Sequence, residues 1–401
     1  MSTTTAKGFL AAGVVAGLKS SGNRDVALVV NQGPKFDAAG VFTSNRVKAA
    51  PVQWSQQVLA SMHALKAVVL NSGGANACTG AEGFADTHRT AEYVAEKLGL
   101  GAIDVAVCST GLIGQRLPMD KIYRGIDAAV GELALDGGDN AALAIMTTDS
   151  VPKTATRLGS GYTIGGMAKG AGMLAPGLAT MLVVITTDAD VPSADLEHAL
   201  RAATSKSFDR IDSDGCMSTN DTVLVLASGA SGVHPSMSEF EALLSEVCAE
   251  LARKLIGDAE GASKDIRIHV SAADSEQDAL EVARAISRSN LLKCAVFGND
   301  PNWGRVLAAL GTTSAAFDAD AVDVAINVGA ILAQHLIVGE LVAILEGFDD
   351  KEHQRTEQRN RLNLAVLCEV AQLQLRPAKH HRYAGCDEHQ RVQRAQRDVQ
   401  N

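Results

Sequence analysis

The sequence predicts a mixed α/β fold, because short apolar runs typical of strands alternate with stretches of helical periodicity along most of its 401 residues. The strand-like runs are rich in Val, Ile and Thr, whereas the helical stretches repeat apolar residues three and four positions apart. The chain is longer than one ordinary hydrophobic core, so two or three domains are expected. Composition alone does not select the topology, and the sequence contains no internal repeat.

The predicted elements follow one another in mixed order. The run FLAAGVVAGL after Lys7 carries too little positive charge nearby for a signal peptide and predicts an opening strand and turn. Further strands are expected at residues 26–30, 67–70, 105–108, 181–187, 222–227, 266–270 and 322–326. Helices are expected at residues 91–98, 119–133, 194–204 and 238–256, the last having one broad apolar face.

Charge and cysteine content limit the classes of partner. The formal net charge is −10 and no basic cluster interrupts the first 350 residues, which disfavours nucleic acid and anionic membrane surfaces. The seven cysteines are scattered without a CxxC pair or metal-ligand spacing. They predict isolated thiols in a reducing compartment, hence a cytoplasmic protein without a metal site. No run reaches the eighteen apolar residues of a membrane span.

The stretch KGAGMLAPGLATMLVVITTDA, from Lys169 to Ala189, places one hydroxyl between a glycine-rich loop and an apolar run. On its own it is most typical of a tight turn before a buried strand, and it has neither the order of a P-loop nor that of a dinucleotide fingerprint. A threonine nucleophile needs a base, and its own α-amine can serve. That amine exists if the chain is cut between Ala179 and Thr180, where Gly177 and Ala179 leave room.

The same stretch resembles the self-cleavage and nucleophile segment of the ornithine acetyltransferase family, also called the glutamate N-acetyltransferases of arginine biosynthesis. Further segments resemble that family in the same order and extend over about the first 325 residues. They are NSGGANACTG from Asn71, CSTGLIG from Cys108, AIMTTDS from Ala144, STNDT from Ser218, DAEGASK from Asp258 and GNDPNWGR from Gly298.

The resemblance implies a layered αββα sandwich, with two sheets in the middle and helices outside, followed by a smaller α/β domain. It implies cleavage into an α chain, residues 1–179, and a β chain, residues 180–401. Within the β chain, residues 180–235 would complete the sandwich, residues 236–327 would form the smaller domain and residues 328–401 would be an atypical tail. Two copies of each chain are expected to assemble as an α2β2 heterotetramer.

The activity that the resemblance implies is acetyl transfer from N2-acetyl-L-ornithine to L-glutamate through an acetyl ester of Thr180. It implies no bound cofactor, and it leaves open whether acetyl-CoA is a second donor. Two alternatives remain open. One is an amidase or aminopeptidase that uses the same N-terminal threonine, and the other is a binding protein without catalysis.

Four further site residues follow from the resemblance. The Thr110 hydroxyl and the Gly111 amide would form the oxyanion hole, and Lys169 and Glu260 would bind substrate together with Thr110 and Thr180. The residues alone also allow simpler interpretations. These are a threonine-capped turn after a strand, a solvated lysine, and a glutamate at the end of a helix capped by Gly261.

Other matched residues are expected to support the site rather than react. They are Asn71, Asn76, Asn220, Asp221, Asp300, Asn302 and Arg305. Asn71 and Asn76 suit a loop with positive φ angles. Asn220 and Asp221 are expected to support the loop near the proposed nucleophile, Thr180. The last three are expected to form a turn that caps the following helix, with Trp303 packed beneath it.

The C-terminal part of the chain departs from the family pattern. From about Val328 the motifs end, and nine of the fifteen glutamines lie after Ile326. The family's closing asparagine and hydroxyl residue, which contact substrate, have no counterpart here. Residues 387–401 have no apolar periodicity and predict a solvated or disordered segment. We hypothesise that this end is translated out of frame, with a cost to activity.

Overall fold

Three β-sheets and the helices that cover them make up the fold, and several central strands are buried along their whole length. A computed structural model of the chain describes residues 2–175, 181–328, 341–347 and 363–370. The described residues belong to one compact unit, Met1–Ala371.

The helices within these described residues are α1 (Ala50–Met62), α2 (Gly80–Leu98), α3 (Met119–Gly131), α4 (Gly138–Ala144), α5 (Ser193–Ser205), α6 (Met237–Gly257), α7 (Glu276–Arg288), α8 (Asn290–Phe297) and α9 (Trp303–Leu310). The strands there are β1 (Phe9–Val14), β2 (Val26–Asn31), β3 (Asp37–Phe42), β4 (Ala67–Ser72), β5 (Val105–Thr110), β6 (Lys153–Leu158), β7 (Thr163–Lys169), β8 (Leu182–Thr187), β9 (Ile211–Asp212), β10 (Thr222–Ala227), β11 (Ala262–Ser271), β12 (Val322–Val328), β13 (Leu341–Gly347) and β14 (Asn363–Val370).

The first sheet has the strand order β1-β2-β4-β5, and the second has the order β3-β10-β8-β7-β6. Each sheet is mostly antiparallel with one parallel pair, β4 with β5 in the first and β8 with β10 in the second. Because β4 and β5 run in the same direction, their carboxyl ends meet at one edge of the first sheet. Thr110 ends β5 at that edge, opposite Ser72 of β4.

The two sheets pack face to face, because alternate strand residues of each are apolar and buried. Val29, Val68 and Leu70 of the first sheet share one core with residues of the second, namely Met167, Leu182, Val184, Leu224 and Leu226. The outer face of the first sheet packs on α2 and α3, and the outer face of the second packs on α5 and α6. The order of layers is therefore helix, sheet, sheet, helix, which confirms the predicted αββα sandwich.

A third sheet has the order β12-β13-β11-β14-β9 and follows the sandwich in the chain, apart from β9. Ile266, Ile268 and Val270 on β11 pack with the apolar faces of α7 and α9. This sheet and its helices form the smaller C-terminal α/β part. The α6 helix precedes β11 and packs on the second sheet of the sandwich.

Most strands predicted from apolar runs lie where the sequence places them, and the opening run forms β1. Each predicted helix is also present, although α2 begins at Gly80, earlier than its periodicity suggests. The sequence missed β6 and β7, where glycine, threonine and charged residues interrupt the apolar pattern. It also missed β13 and β14, which lie beyond the matched motifs.

None of the helices among the described residues is long and apolar enough to cross a membrane.

Candidate active site

A buried lysine contacts a buried threonine where two strands end, one in each sheet of the sandwich. Lys169 closes β7 and donates a hydrogen bond from Nζ to Oγ1 of Thr110, the last residue of β5, at 3.2 Å. Only 1% of Lys169 and 2% of Thr110 is exposed. The interpretation of Lys169 as a solvated surface lysine is therefore wrong, because the glycine and apolar residues around it place its ammonium inside the protein.

Gly111 follows Thr110 in a conformation that requires glycine. Its φ is +129°, and a Cβ there would lie 2.7 Å from the backbone nitrogen of Gly74. The two loops approach this closely because Gly73 N donates to Thr110 O at 2.9 Å and Ala75 N donates to Leu112 O at 2.8 Å. The segment is thus more than a threonine-capped turn, since its backbone is fixed against a second loop.

Asparagine side chains hold these two loops together. Ser109 Oγ donates to Asn71 Oδ1 at 2.6 Å, and Asn71 Nδ2 donates to Gly74 O at 3.0 Å. Asn220 Nδ2 donates to Ala75 O at 2.7 Å and to Ser109 O at 2.8 Å. The structure therefore places Asn71 and Asn220 as supports for the segment that contains Thr110 and Gly111.

The loop after β4 has the positive φ angles that the sequence suggests, but at only one of the two asparagines. Asn76 has a φ of +49°, and its Nδ2 donates to Gly83 O and to Thr87 Oγ1, both at 2.9 Å. Asn71 instead lies within β4, so the expectation of positive φ at that residue is wrong. Its side chain, rather than its backbone, shapes the loop.

Asp221 anchors the backbone at the start of β8. Its Oδ1 accepts a hydrogen bond from Met181 N at 3.1 Å, and burial raises the pKa of its carboxyl well above the usual value. Met181 directly follows Thr180 in the chain. Ala179 and Thr180 themselves lie outside the described residues. The expected support from Asn220 and Asp221 is thus present around the described neighbours of the nucleophile segment.

Burial also sets the charge state of Lys169. Desolvation lowers the pKa of its ammonium from 10.5 to about 8. The carboxylates of Asp149 and Asp221 oppose this effect, whereas the nearby cations of Lys153 and Lys19 add to it. A buried lysine whose pKa is lowered in this way, beside specific charged partners, is typical of functional sites.

Glu260 lies beside the glycine-rich segment that follows Lys169. Its backbone N donates to Ala171 O at 2.5 Å, and a Cβ placed on Gly172 would lie 3.3 Å from Glu260 Oε2. The α6 helix ends at Gly257, with Asp258 at its C-cap, so Glu260 lies beyond the helix rather than at its last turn. The side chain is exposed. A small residue at position 172 leaves room for this carboxylate.

Behind these residues lies a buried group of charges that sequence reasoning missed. Lys153 Nζ contacts Asp149 Oδ1 at 2.6 Å and Asp258 Oδ2 at 2.7 Å. Both carboxylates belong to segments that were matched, AIMTTDS and DAEGASK, which is the signal that could have found them. A cavity of about 450 Å³ borders this group and is lined by Lys19, Ser21, Asn23, Arg24, Leu143, Met146, Thr147 and Asp149.

Comparison with known proteins decides the family. The model of the ArgJ family matches residues 10–389. The chain belongs to the ArgJ family.

Named members of the ArgJ family match most of this chain. The arginine biosynthesis bifunctional protein ArgJ of Streptomyces coelicolor is 63% identical over 340 residues, which cover 85% of this chain and 88% of that protein. The protein of the same name from Thermobifida fusca is 63% identical over 327 residues, covering 82% of this chain and 85% of that protein. Among solved structures, ornithine acetyltransferase from Mycobacterium tuberculosis in complex with ornithine is 58% identical, with a TM-score of 0.42, and covers 45% of this chain and 96% of that one.

The ArgJ match continues past Val328, where the recognisable motifs end, as far as residue 389. In the GNDPNWGR segment, Asn302 is the N-cap of α9 and its Oδ1 accepts a hydrogen bond from Arg305 N at 3.3 Å, as expected for a capping turn. Trp303, however, is 56% exposed. The expectation that its ring packs beneath the turn is wrong, because the residue starts the helix on its solvent side.

Proposed function

We propose that this chain is an acetyltransferase that moves an acetyl group from N2-acetyl-L-ornithine to L-glutamate through an acetyl ester of Thr180. Membership of the ArgJ family supports the reaction class. The observation that carries the proposal is the buried Lys169 ammonium beside the Thr110 hydroxyl, because it supplies a cation and a hydrogen-bond donor at one point. Glu260, in the loop after α6, lies beside the glycine-rich segment that follows Lys169 and supplies a carboxylate.

The proposed oxyanion hole consists of the Thr110 hydroxyl and the Gly111 amide. Acyl transfer passes through a tetrahedral intermediate whose oxygen carries negative charge. Loss of one well-aimed donor costs about 3–4 kcal/mol of transition-state stabilisation. The fixed backbone around Gly111 supports this role, since donors that are already held in place need no reorganisation during reaction.

In the first proposed step, Thr180 Oγ attacks the acetyl carbonyl of the donor and gives its proton to a base. The amide C–N bond breaks, the leaving nitrogen takes a proton, and ornithine departs. The α-amine of glutamate then attacks the ester carbonyl, the C–O bond to Thr180 breaks, and the hydroxyl is restored. In this scheme Lys169 binds the α-carboxylate and Glu260 binds the amino group of each substrate.

The base in this scheme is the α-amine of Thr180, released by self-cleavage after Ala179. An α-amine has an ordinary pKa near 8, and burial lowers it toward a value suited to a general base. The hydrogen bond from Met181 N to Asp221 supports the idea that the backbone beside the nucleophile is held in place. Cleavage would give an α chain of residues 1–179 and a β chain of residues 180–401.

We further infer that two copies of each chain assemble as α2β2 in the cytoplasm and that the enzyme needs no bound cofactor or metal. Acetyl-CoA enters the proposal as a candidate second donor, since relatives carry the name "bifunctional". The recognisable family motifs end near Val328, although the family match itself reaches residue 389, and on the loss of these motifs we propose an out-of-frame end and reduced turnover. Sequencing the 3′ end of the coding DNA tests this, and finding no family-like tail in another frame would contradict it.

Intact-mass spectrometry and a donor–acceptor assay test the function. We expect two fragments, with the cut between Ala179 and Thr180. In the assay, N-acetylornithine should release ornithine, and N-acetylglutamate should form only when glutamate is present. Thr180→Ala should abolish cleavage and turnover, whereas Thr180→Ser should retain part of both.

Other outcomes select the alternatives. Ornithine and acetate formed without glutamate would identify an amidase. An uncut chain without turnover would instead support a binding protein. Replacing N-acetylornithine with acetyl-CoA in the same assay tests the second donor.

A further inference from the structure

Lys153 is a fully buried lysine held between two carboxylates. It opens β6, and neither its side chain nor that of Asp149 has any exposed surface. Its Nζ lies 2.6 Å from Asp149 Oδ1 and 2.7 Å from Asp258 Oδ2. Burying a charge is costly unless it is paired, so loss of either carboxylate would leave the buried Lys153 ammonium less well compensated.

One of the two carboxylates leads to Lys169. Asp149 Oδ1 also accepts a hydrogen bond from Gly170 N at 2.7 Å, so the same oxygen joins Lys153 to the residue after Lys169. The Asp149 carboxylate also contacts its own turn through Thr147 N at 2.9 Å. It is therefore fixed from three directions.

The other carboxylate leads to Glu260. Asp258 lies two residues before Glu260 and accepts a hydrogen bond from Ser150 N at 2.9 Å. Glu260 N in turn donates to Ala171 O, which follows Gly170. Lys153 thus closes a ring of contacts between the segment after β7 and the loop after α6.

We propose that Lys153 is a positioning residue that holds Lys169 and Glu260 in register for substrate by binding Asp149 and Asp258 together. Its Nζ binds Asp149 and Asp258, and through them it acts on the backbone of residues 170–171 and 258–260. The expected kinetic effects rest on the proposed acetyltransferase function, whereas the structural effect does not.

Lys153 also affects the charge of Lys169. The charged groups that face Lys169 are Asp149 and Asp221, which favour its ammonium, and Lys153 and Lys19, which disfavour it. Removing the positive charge at position 153 removes one of the two cations that disfavour the Lys169 ammonium, while the favourable effect of Asp149 remains. The pKa of Lys169 should then rise above its value of about 8.

The test compares Lys153→Met with Lys254→Met, a control in which a lysine of a more exposed ion pair with Glu250 is removed. In the Lys153 variant we expect kcat/KM for N-acetylornithine to fall by about 10²-fold, mostly through KM, because misplacement by an ångström has effects of that size. The fall of kcat/KM at alkaline pH should occur at a higher pH in this variant than in the wild type. The control should change neither, and an unchanged KM and pH profile in Lys153→Met would overturn the proposal.

A second variant and a second measurement separate positioning from folding. Asp258→Asn keeps the Lys153–Asp149 pair but weakens the link to the Glu260 loop, so KM should rise while the pH profile stays in place. Hydrogen exchange of residues 169–175 and 257–262 should be faster in both variants than in the Lys254 control.

The exchange measurement needs no turnover. If the wild-type protein lacks acetyltransferase activity, the proposed function fails, whereas faster exchange still supports the role of Lys153. Unchanged exchange in a folded Asp258→Asn protein would refute that role, including when Lys153→Met does not fold.

Discussion

Lys169 Nζ donates to Thr110 Oγ1 across 3.2 Å, which connects the end of β7 in one sheet to the end of β5 in the other. The contact is possible because the two sheets are stacked with these strand ends at the same side of the sandwich. The ammonium of Lys169 and the hydroxyl of Thr110, which lie 59 positions apart in the chain, thereby form one buried polar contact. Its chemistry depends on how rigidly the surrounding loops hold it.

We expect Lys169→Met to impair substrate binding without lowering stability at neutral pH. The folded protein holds this lysine with a pKa near 8 against 10.5 in the unfolded chain, so the unfolded state binds more protons between these values. In the wild type the free energy of unfolding should therefore gain up to about 3 kcal/mol as pH rises from 8 to 10.5. Urea unfolding across this range should show the gain in wild type and lose it in Lys169→Met. An equal pH dependence in both proteins would contradict a buried, depressed lysine.

Gly111→Ala should be more damaging than Gly114→Ala. Both glycines have positive φ, which costs another residue about 1–3 kcal/mol. At Gly111 the new Cβ would also overlap Gly74 N, which adds about 1–3 kcal/mol, whereas Gly114 has open space. Thermal unfolding compares the two stabilities. Transferase assays should show that only the Gly111 variant loses most activity, and equal losses would argue against a specific role for its backbone.

Asp221→Ala should slow self-cleavage, because the anchor for Met181 N is removed next to the proposed cleavage site. Asp221→Asn keeps an acceptor oxygen and should cleave faster than the alanine variant. Asp214→Ala is a matched control, since Asp214 accepts from Met173 N at 2.7 Å in an exposed loop on the other side of the segment. Mass spectrometry of freshly purified protein gives the uncut fraction, which should be greatest in Asp221→Ala. If the control accumulates as much precursor, the anchor has no special role.

Asn220→Ala should destabilise the fold by about 2–3 kcal/mol, because it leaves the buried carbonyls of Ala75 and Ser109 without this donor. Asn302→Ala removes an N-cap at the surface and should cost about 1 kcal/mol. Chemical unfolding of the two variants provides the comparison. A cost at Asn220 no greater than at Asn302 would show that the loop pair is supported by other contacts.

Sequence reasoning located the parts of the molecule where local pattern decides structure. The strands β8 and β10 are visible in the sequence as apolar runs because both of their faces are buried. The helix α6 is visible because it buries one broad apolar face. It could not locate β7, whose buried side includes glycine and lysine rather than a run of large apolar residues. Strand pairing places such a segment in the core, and pairing is a non-local property.

The same distinction applies to the candidate site. Thr110, Lys169 and Glu260 could be proposed from the sequence because each belongs to a recognisable motif. The triad of Asp149, Lys153 and Asp258 was missed because its second contact joins residues 105 positions apart. No spacing rule describes such a contact, and only the packing of β6 against α6 produces it.

The pairing of β7 with β8 has a consequence for any product of cleavage before Thr180. The two strands share a ladder from Ile164 with Thr187 to Lys169 with Leu182, and β3 pairs with β10 in the same sheet. Each fragment would therefore contribute strands to one continuous sheet. Separating the fragments would require breaking that sheet, so dilution alone should not dissociate them and their association should be lost only on unfolding.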